Sequence, residues 1–465
     1  MRATTDRTAG FSLIELLVAM LLVSLVLGGA MAMFNYTSRL TRRQLHQADL
    51  QQAARVSQRE LLGIVRMAGR GGLSGFNVVN PTVDQPGAGP ASFTPALEVR
   101  NNVPSGSNIG DAMSPEVLEG TDVLTIRGHL TSAPIFVNYT DPATYAPDPG
   151  NNGGVITISS RSPAGIPQDL GPIVDAVNNN QPEALIITSA LTDLIYGVAE
   201  LDVANSMVGG YDPDPTNITS IQIAYRYTGG THADAYALLS AGGVFPDTNV
   251  PHPAWLPPRG LQNVGSIGLL EEYRYFIEDP DDDIAPRLAI GRFFPATDAV
   301  HPGGGLGQPL ADNVYDLQVA LGFDSSFDGG SAFNGFFDRL DDDDPLGGND
   351  DIIVDGDLLA GADTATDDWL FNDEDDEDAL TALPWSPAPA AGGIPPTFST
   401  AQPRPRLYYA RVTTLSMSAR GEPGYQAPLI DAIEDHDYTG SEVESVEGRR
   451  FHRLQLTTII DMRNL

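Results

Sequence analysis

The chain begins with ten mostly polar residues and then runs through 24 almost wholly apolar positions, 11–34 (FSLIELLVAMLLVSLVLGGAMAMF). As a helix rising ~1.5 Å per residue, that run reaches about 36 Å, enough for a ~30 Å hydrocarbon core. Residues 35–68 continue with a polar face. Leu45, Ala48, Gln52, Val56 and Leu62 fall near a helical period and form one semi-apolar stripe. Gly69, Gly71 and Gly72 stop the pattern. The spacing predicts one helix from about 12 to 68, half in lipid and half under a head. Gly28 and Gly29 weaken it locally, by up to ~1 kcal/mol each against Ala. After residue 72 the period changes to that of short strands. The clearest are 123–127, 135–139, 155–159, 184–189, 218–227, 273–278, 317–323, 407–417 and 453–462. Pro-, Gly- and Asn-rich loops separate them, notably 77–118, 140–154 and 228–263. The expected class is α+β, a long N-terminal helix packed on an antiparallel β-sheet head.

Two details set the apolar run apart from an ordinary secretory signal. A Gly10–Phe11 junction precedes it, and no small-residue cleavage pattern follows it. The run also carries one charge, Glu15. A carboxylate inside a membrane helix costs roughly 2.5–3.5 kcal/mol on insertion scales, so it needs a compensating role. Gly10 to Met20 (GFSLIELLVAM) closely resembles the signal of type IV prepilins and type II secretion pseudopilins. The resemblance implies a pilin fold, cleavage after Gly10 by a prepilin peptidase and N-methylation of Phe11. The apolar segment then serves as a membrane anchor and later as filament core. The new Phe11 amine and Glu15 of a neighbouring subunit can then pair, so that neither charge is buried alone. Arg39, Arg42 and Arg43 follow the anchor on what is then the outer side, against the positive-inside expectation, with only Arg2 and Arg7 opposing them.

Three further stretches resemble, in order, the PilW-like minor pilins, relatives of the J-type minor pseudopilins. They are the helix exit 61–73 (LLGIVRMAGRGGL), the strand 310–324 (LADNVYDLQVALGFD) and the terminal strand 450–465 (RFHRLQLTTIIDMRNL). The expected organisation is a leader, 1–10, a transmembrane and filament-core helix, 11–34, an amphipathic second half, 35–72, and an extracytoplasmic β-rich head, 73–465.

Composition narrows the chemistry. Of 465 residues, 61 are acidic and 26 basic, a formal charge of −35. Such a surface repels phosphate backbones, which argues against nucleic-acid binding and favours hard cations. There is no cysteine, which excludes thiol nucleophiles, Cys-based metal sites and disulfides. There is no lysine either, so Schiff-base and phosphate-loop lysines are excluded. No HExxH or GxSxG occurs, and the seven histidines are scattered, with His252 and His301 read as solvated in Pro-rich loops. No enzyme is expected.

Residues 338–378 hold 18 Asp or Glu and one Arg, and 384–397 is Pro-rich, so 338–400 reads as an acidic insertion with a linker. Just upstream, Asp324, Ser326 and Asp328 occupy loop positions 1, 3 and 5, with Gly329 at 6. That is the first half of an EF-hand-type calcium loop. Position 12 is Gly335 where a bidentate Glu is required, and Asp338 is the candidate substitute. The competing reading is an Asx-turn without metal. Asp350, Asp351, Asp355 and Asp357 form a weaker cluster, and 279–283 (DPDDD) reads as an exposed turn.

The functional expectation is a minor pilin anchored in the inner membrane by a single pass, head outside, and later carried on the pilus or cell surface. A head this large is hard to repeat along a shaft, which favours the tip or a priming complex. The resemblance implies as partners the prepilin peptidase, other minor and major pilins, and a tip adhesin. The alternatives are a minor pseudopilin of a type II secretion system, and a calcium-dependent adhesion module on a pilin stalk.

Overall fold

The computed structural model describes residues 12–70, 76–79, 96–109, 116–137, 145–148, 153–189, 196–214, 217–226, 264–279, 285–295, 300–302, 307–324, 368–371, 406–430, 432–433, 436–438, 440–441 and 443–462. The N-terminal helix α1 (Leu13–Val65) has 53 residues and runs unbroken through Gly28 and Gly29. Its length is about 80 Å. The packed stripe is Leu50, Ala54, Ser57, Gln58, Leu61, Val65 and, in the turn beyond, Ala68. This corrects the stripe expected from the sequence. Leu45 and Val56 are exposed, as are Ala48 and Gln52, while Leu62 is only half-buried. The helix buries Ala and Ser where the sheet comes close, and small residues carry little weight in an apolar pattern. Gly69 ends the turn at φ +73°, and its N–H donates to the Arg127 carbonyl at 3.0 Å.

Twelve strands form the first sheet. They are β1 (Phe76–Val79), β2 (Leu97–Arg100), β3 (Val123–Gly128), β4 (Ile135–Phe136), β5 (Tyr145–Asp148), β6 (Gly153–Ser159), β7 (Ala184–Ser189), β8 (Tyr196–Leu201), β9 (Ser220–Arg226), β10 (Val264–Glu278), β11 (Arg287–Phe293) and β12 (Gln308–Asp312). The order is β1-β2-β3-β10-β7-β8-β9-β6-β5, with β4 and β11 also on β10 and β12 on β11. Every pair is antiparallel except β1–β2.

The 15-residue β10 is the spine. Its first half, to Leu270, pairs with β7 and β4, and its second half with β3 and β11. The sequence pattern marks only 273–278, because the first half is buried on both faces and shows no alternation. The pattern does not mark β1, β2, β5, β8, β11 and β12 either, and β1, β2 and β5 fall in or at the edge of the stretches 77–118 and 140–154 read as loops. Most are short, and β12 carries Pro309 at an edge.

The second sheet has the order β14-β13-β15-β18, all antiparallel: β13 (Val314–Asp324), β14 (Asp368–Phe371), β15 (Arg406–Met417) and β18 (Arg453–Asp461). A small hairpin, β16 (Ala432–Ile433) and β17 (His436–Asp437), lies between β15 and β18 in the chain.

One core joins α1 to both sheets. Leu61 and Val65 pack with Leu97, Leu124, Tyr275 and Leu288 of the first sheet and with Leu317, Val412 and Ile460 of the second. A second core lies under the short helix α2 (Gly171–Asn178), whose Ile173, Val174 and Val177 meet Ile156, Leu185 and Ile223. Asp122, wholly buried, pins the sheets together. Its carboxylate accepts the Asn102 and Val319 N–H groups at 3.0 and 2.7 Å, and its own N–H donates to the Leu317 carbonyl at 2.9 Å.

Candidate functional site

The first element to consider is the bare part of α1. Ser12 sits at the N-cap in extended geometry, and its Oγ accepts the Glu15 N–H at 3.2 Å. Glu15 returns the bond, accepting the Ser12 N–H at 3.1 Å. This capping box satisfies two helix-end donors. Glu15 is therefore the helix's own cap in a single chain, and an incoming amine would compete with Ser12 for its carboxylate. Gly10 and Phe11 lie outside the described residues. From Leu13 to Phe34 the large apolar side chains are exposed, at 80% and 71% at the two ends. It is the one helix among the described residues long and apolar enough to cross a membrane, with a mean hydropathy of 2.5 over an 18-residue window. The first described buried residue is Leu50, so roughly 55 Å of helix projects past the core.

The second element is the anchorage of α1 to the head. The helix packs on β12, β15 and β18. Gln58 Nε2 donates to the Leu456 carbonyl at 2.8 Å, occupying an acceptor of edge strand β18. Two turns before Leu50, Arg43 donates to both Glu422 oxygens, each at 2.9 Å. Glu422 also meets His452 Nε2 at 3.1 Å, and His452 stacks on Tyr425 with centroids 4.0 Å apart. His46 of the helix lies 6.3 Å from the His452 ring. The Arg43 hydrogen bond holds the Glu422 carboxyl below the usual carboxylate range, and Glu422 in turn raises the Arg43 guanidinium. Arg43 is visible in the sequence as a charge, but its partner is 379 positions away.

The third element gives a physical account of the strand that carried the resemblance. On β13, Leu317 and Val319 face the shared core. Asp316 and Gln318 belong to the opposite face, and both are wholly buried. Asp316 accepts the Tyr438 hydroxyl at 2.6 Å, the Gln318 amide at 3.0 Å and a contact from His436 Nδ1 at 3.2 Å. Gln318 also donates to the Gly120 carbonyl at 2.8 Å. Gly120 has φ +75°, and a Cβ there would sit 2.5 Å from the His436 ring, so glycine is required. Burial, with Asp316 beside it, raises the Tyr438 hydroxyl far above its ordinary value.

Two ionic groups inside the first sheet were not expected from the sequence. Glu272 is completely buried between Arg127 (2.6 Å) and Arg274 (2.7 Å). Arg127 also reaches Glu98 at 3.1 Å, and Arg274 lies 4.1 Å over the Phe293 ring. Further along, Glu183 meets His301 at 3.1 Å and Arg292 at 3.5 Å, and Arg292 stands 3.7 Å from Glu271. His301 is thus a buried partner, not the solvated loop histidine expected. Burial pushes Glu183 up to about 7 and, with Arg292 adding to it, His301 down to about 4. Glu272 and Arg274 are two residues apart on β10, but Glu272 meets Arg127 only through the β3–β10 pairing, and Glu183 and His301 are 118 residues apart in the chain.

Of the calcium candidates, Asp324 is the last residue of β13, paired along the backbone with Arg406 and Asp368. Ser326, Asp328, Asp338 and the cluster 350–357 lie outside the described residues, as do His252 and 280–283 of the acidic turn. Among the described residues no group of three or more His, Asp or Glu could hold a metal ion.

Residues 6–31 match the family model described as the prokaryotic N-terminal methylation motif. No curated protein and no solved structure matches the chain. A long apolar helix leading into antiparallel sheets, together with this motif, supports a protein of the pilin or pseudopilin class. These are structural subunits, cut by a prepilin peptidase and assembled with other pilins at a membrane.

Proposed function

We propose that the chain is a minor pilin of a type IV pilus, PilW-like, cut after Gly10, methylated on Phe11 and held in the inner membrane by a single pass with its head outside. It joins other minor and major pilins through the bare part of α1 and acts in assembly or initiation, at the tip, where a tip adhesin can be presented. The observation that carries this reading is the methylation motif over 6–31 on a helix whose apolar part is unburied among the described residues. Head size supports the tip position, since a 12-stranded and a 4-stranded sheet stand on one helix and would clash if repeated along a shaft. Calcium at Asp324, Ser326, Asp328 and Asp338 belongs to the same proposal, as a staple for a long loop in a chain without disulfides.

The test is mass spectrometry of this protein's N-terminus in sheared surface filaments and in membranes of the native cells. An N-methylated Phe11 in the sheared fraction is the expected result. An intact Met1, in protein that never leaves the membrane, would overturn the reading. Deleting the gene separates the pilus from a type II secretion machine, since loss of pili and loss of protein secretion are different defects.

A further inference from the structure

We infer that Arg39 and Arg42, with Tyr36 below them, form a binding site for the phosphate of an anionic phospholipid in the outer leaflet of the membrane that α1 crosses. The inference rests on reading α1 as a membrane anchor. Position comes first. The exposed apolar run ends at Phe34, and Arg39 and Arg42 follow five and eight residues later. At ~1.5 Å per residue they stand about 7.5 and 12 Å beyond it. The headgroup layer occupies roughly 5–8 Å on each side of the hydrocarbon core, and an arginine stem can reach down by several more.

Arrangement comes second. Arg39 is three residues from both Tyr36 and Arg42, so it neighbours each of them on the helix surface. Tyr36 is 70% exposed, and its ring suits the membrane interface, with an apolar body and a polar tip.

Availability comes third. Arg43 is committed to Glu422, whereas Arg39 and Arg42 are exposed and have no ion-pair partner among the described residues. What sets Arg39 and Arg42 apart from Arg55 and Arg59, also exposed on α1, is their place just beyond the apolar run. They also account for the departure from the positive-inside expectation. The head, 73–465, holds 57 acidic and 17 basic residues, a formal charge of −40 that anionic lipids repel, and these two cations supply a local attraction beside it.

The full-length protein, reconstituted in nanodiscs of mixed phosphatidylglycerol and phosphatidylcholine, would be extracted and its retained lipid counted by native mass spectrometry. The wild type is expected to retain phosphatidylglycerol selectively, and Arg39→Gln/Arg42→Gln to lose that preference by about 30-fold, taking two arginines at the per-residue value for an anionic surface. Glycerol phosphate at millimolar concentration is expected not to displace the lipid. Equal retention by wild type and variant overturns the proposal. So does displacement by glycerol phosphate, which would mean a free-phosphate site, or an unchanged lipid preference in a variant that no longer cross-links to filament partners. Failure of the wild type to insert into nanodiscs at all would instead overturn the anchor reading.

Discussion

Replacing Glu272 by Gln should destabilise the head by about 3–5 kcal/mol, the cost of breaking a buried ion pair from one side. Glu272 has no exposed side-chain surface, and its partners Arg127 and Arg274 are about 5% and 4% exposed. With Glu98 the group is neutral, two carboxylates against two guanidiniums. Burial by itself disfavours the charge on Arg127, and Glu272 and Glu98 outweigh it, so the guanidinium is more firmly protonated than in water. The substituted amide would keep the shape and leave one positive charge uncompensated between β3 and β10, where Glu272 stands directly opposite Arg127. The assay is urea unfolding of the full chain in detergent, followed by near-ultraviolet circular dichroism, to which Tyr275 and Phe276 on the same strand contribute. The shift in midpoint times the slope gives the loss. The apolar replacement Arg127→Met/Glu272→Leu/Arg274→Leu should fall within about 1–2 kcal/mol of wild type. It removes all three buried charges, takes the 2.7 Å donor from the Ile109 carbonyl and leaves Glu98, 16% exposed, to be solvated in place of its 3.1 Å contact with Arg127. A Glu272→Gln variant within about 1 kcal/mol of wild type, with the triple variant worse than the single one, would refute the reasoning.

Glu183→Gln should change the pH dependence of stability. Glu183 is raised to about 7, so its contribution is present below its ordinary 4.5 and is lost as pH rises through 7. His301 is lowered to about 4, so its contribution is present above 6.5 and is lost as pH falls through 4. The two oppose each other between about 4.5 and 6.5, and in the variant unfolding free energy should rise with pH over that window. A curve parallel to wild type would count against the pair. Glu422→Gln should loosen the hold of the head on α1, as should acidification, because a lowered carboxyl contributes above the ordinary carboxylate range and is lost as pH falls through its own value. The chain has no native cysteine, so spin labels at Leu45→Cys and Glu447→Cys report it, the expectation being a narrow distance distribution that broadens in the variant. Glu15→Ala should leave cleavage after Gly10 intact and reduce recovery in sheared filaments, and normal recovery would sink the charge-pairing reading. Millimolar calcium should raise the Tm of the full chain, because a ligand bound only by the folded state stabilises it, and no shift would retire the site.

Much of what this chain is could be read along its length. The helix from 12 to 68, its apolar first half, Glu15 one turn inside and the glycine stop at Gly69 are local facts, governed by residues within a few positions of one another. So is the strand 220–226, where Ile221, Ile223 and Tyr225 are buried and Gln222 between them is exposed. What depended on the tertiary structure is of another kind. The helix stripe that packs runs through Leu50, Ala54 and Ser57, because the distance to the sheet, not apolarity, chose the small residues. The first half of β10 has no alternation because both its faces are covered. His301 became a buried partner of Glu183 and Asp316 of Tyr438 across more than a hundred residues. Hydrophobic period is written in neighbours, whereas the partner of a buried charge is chosen by whichever strand the fold lays beside it.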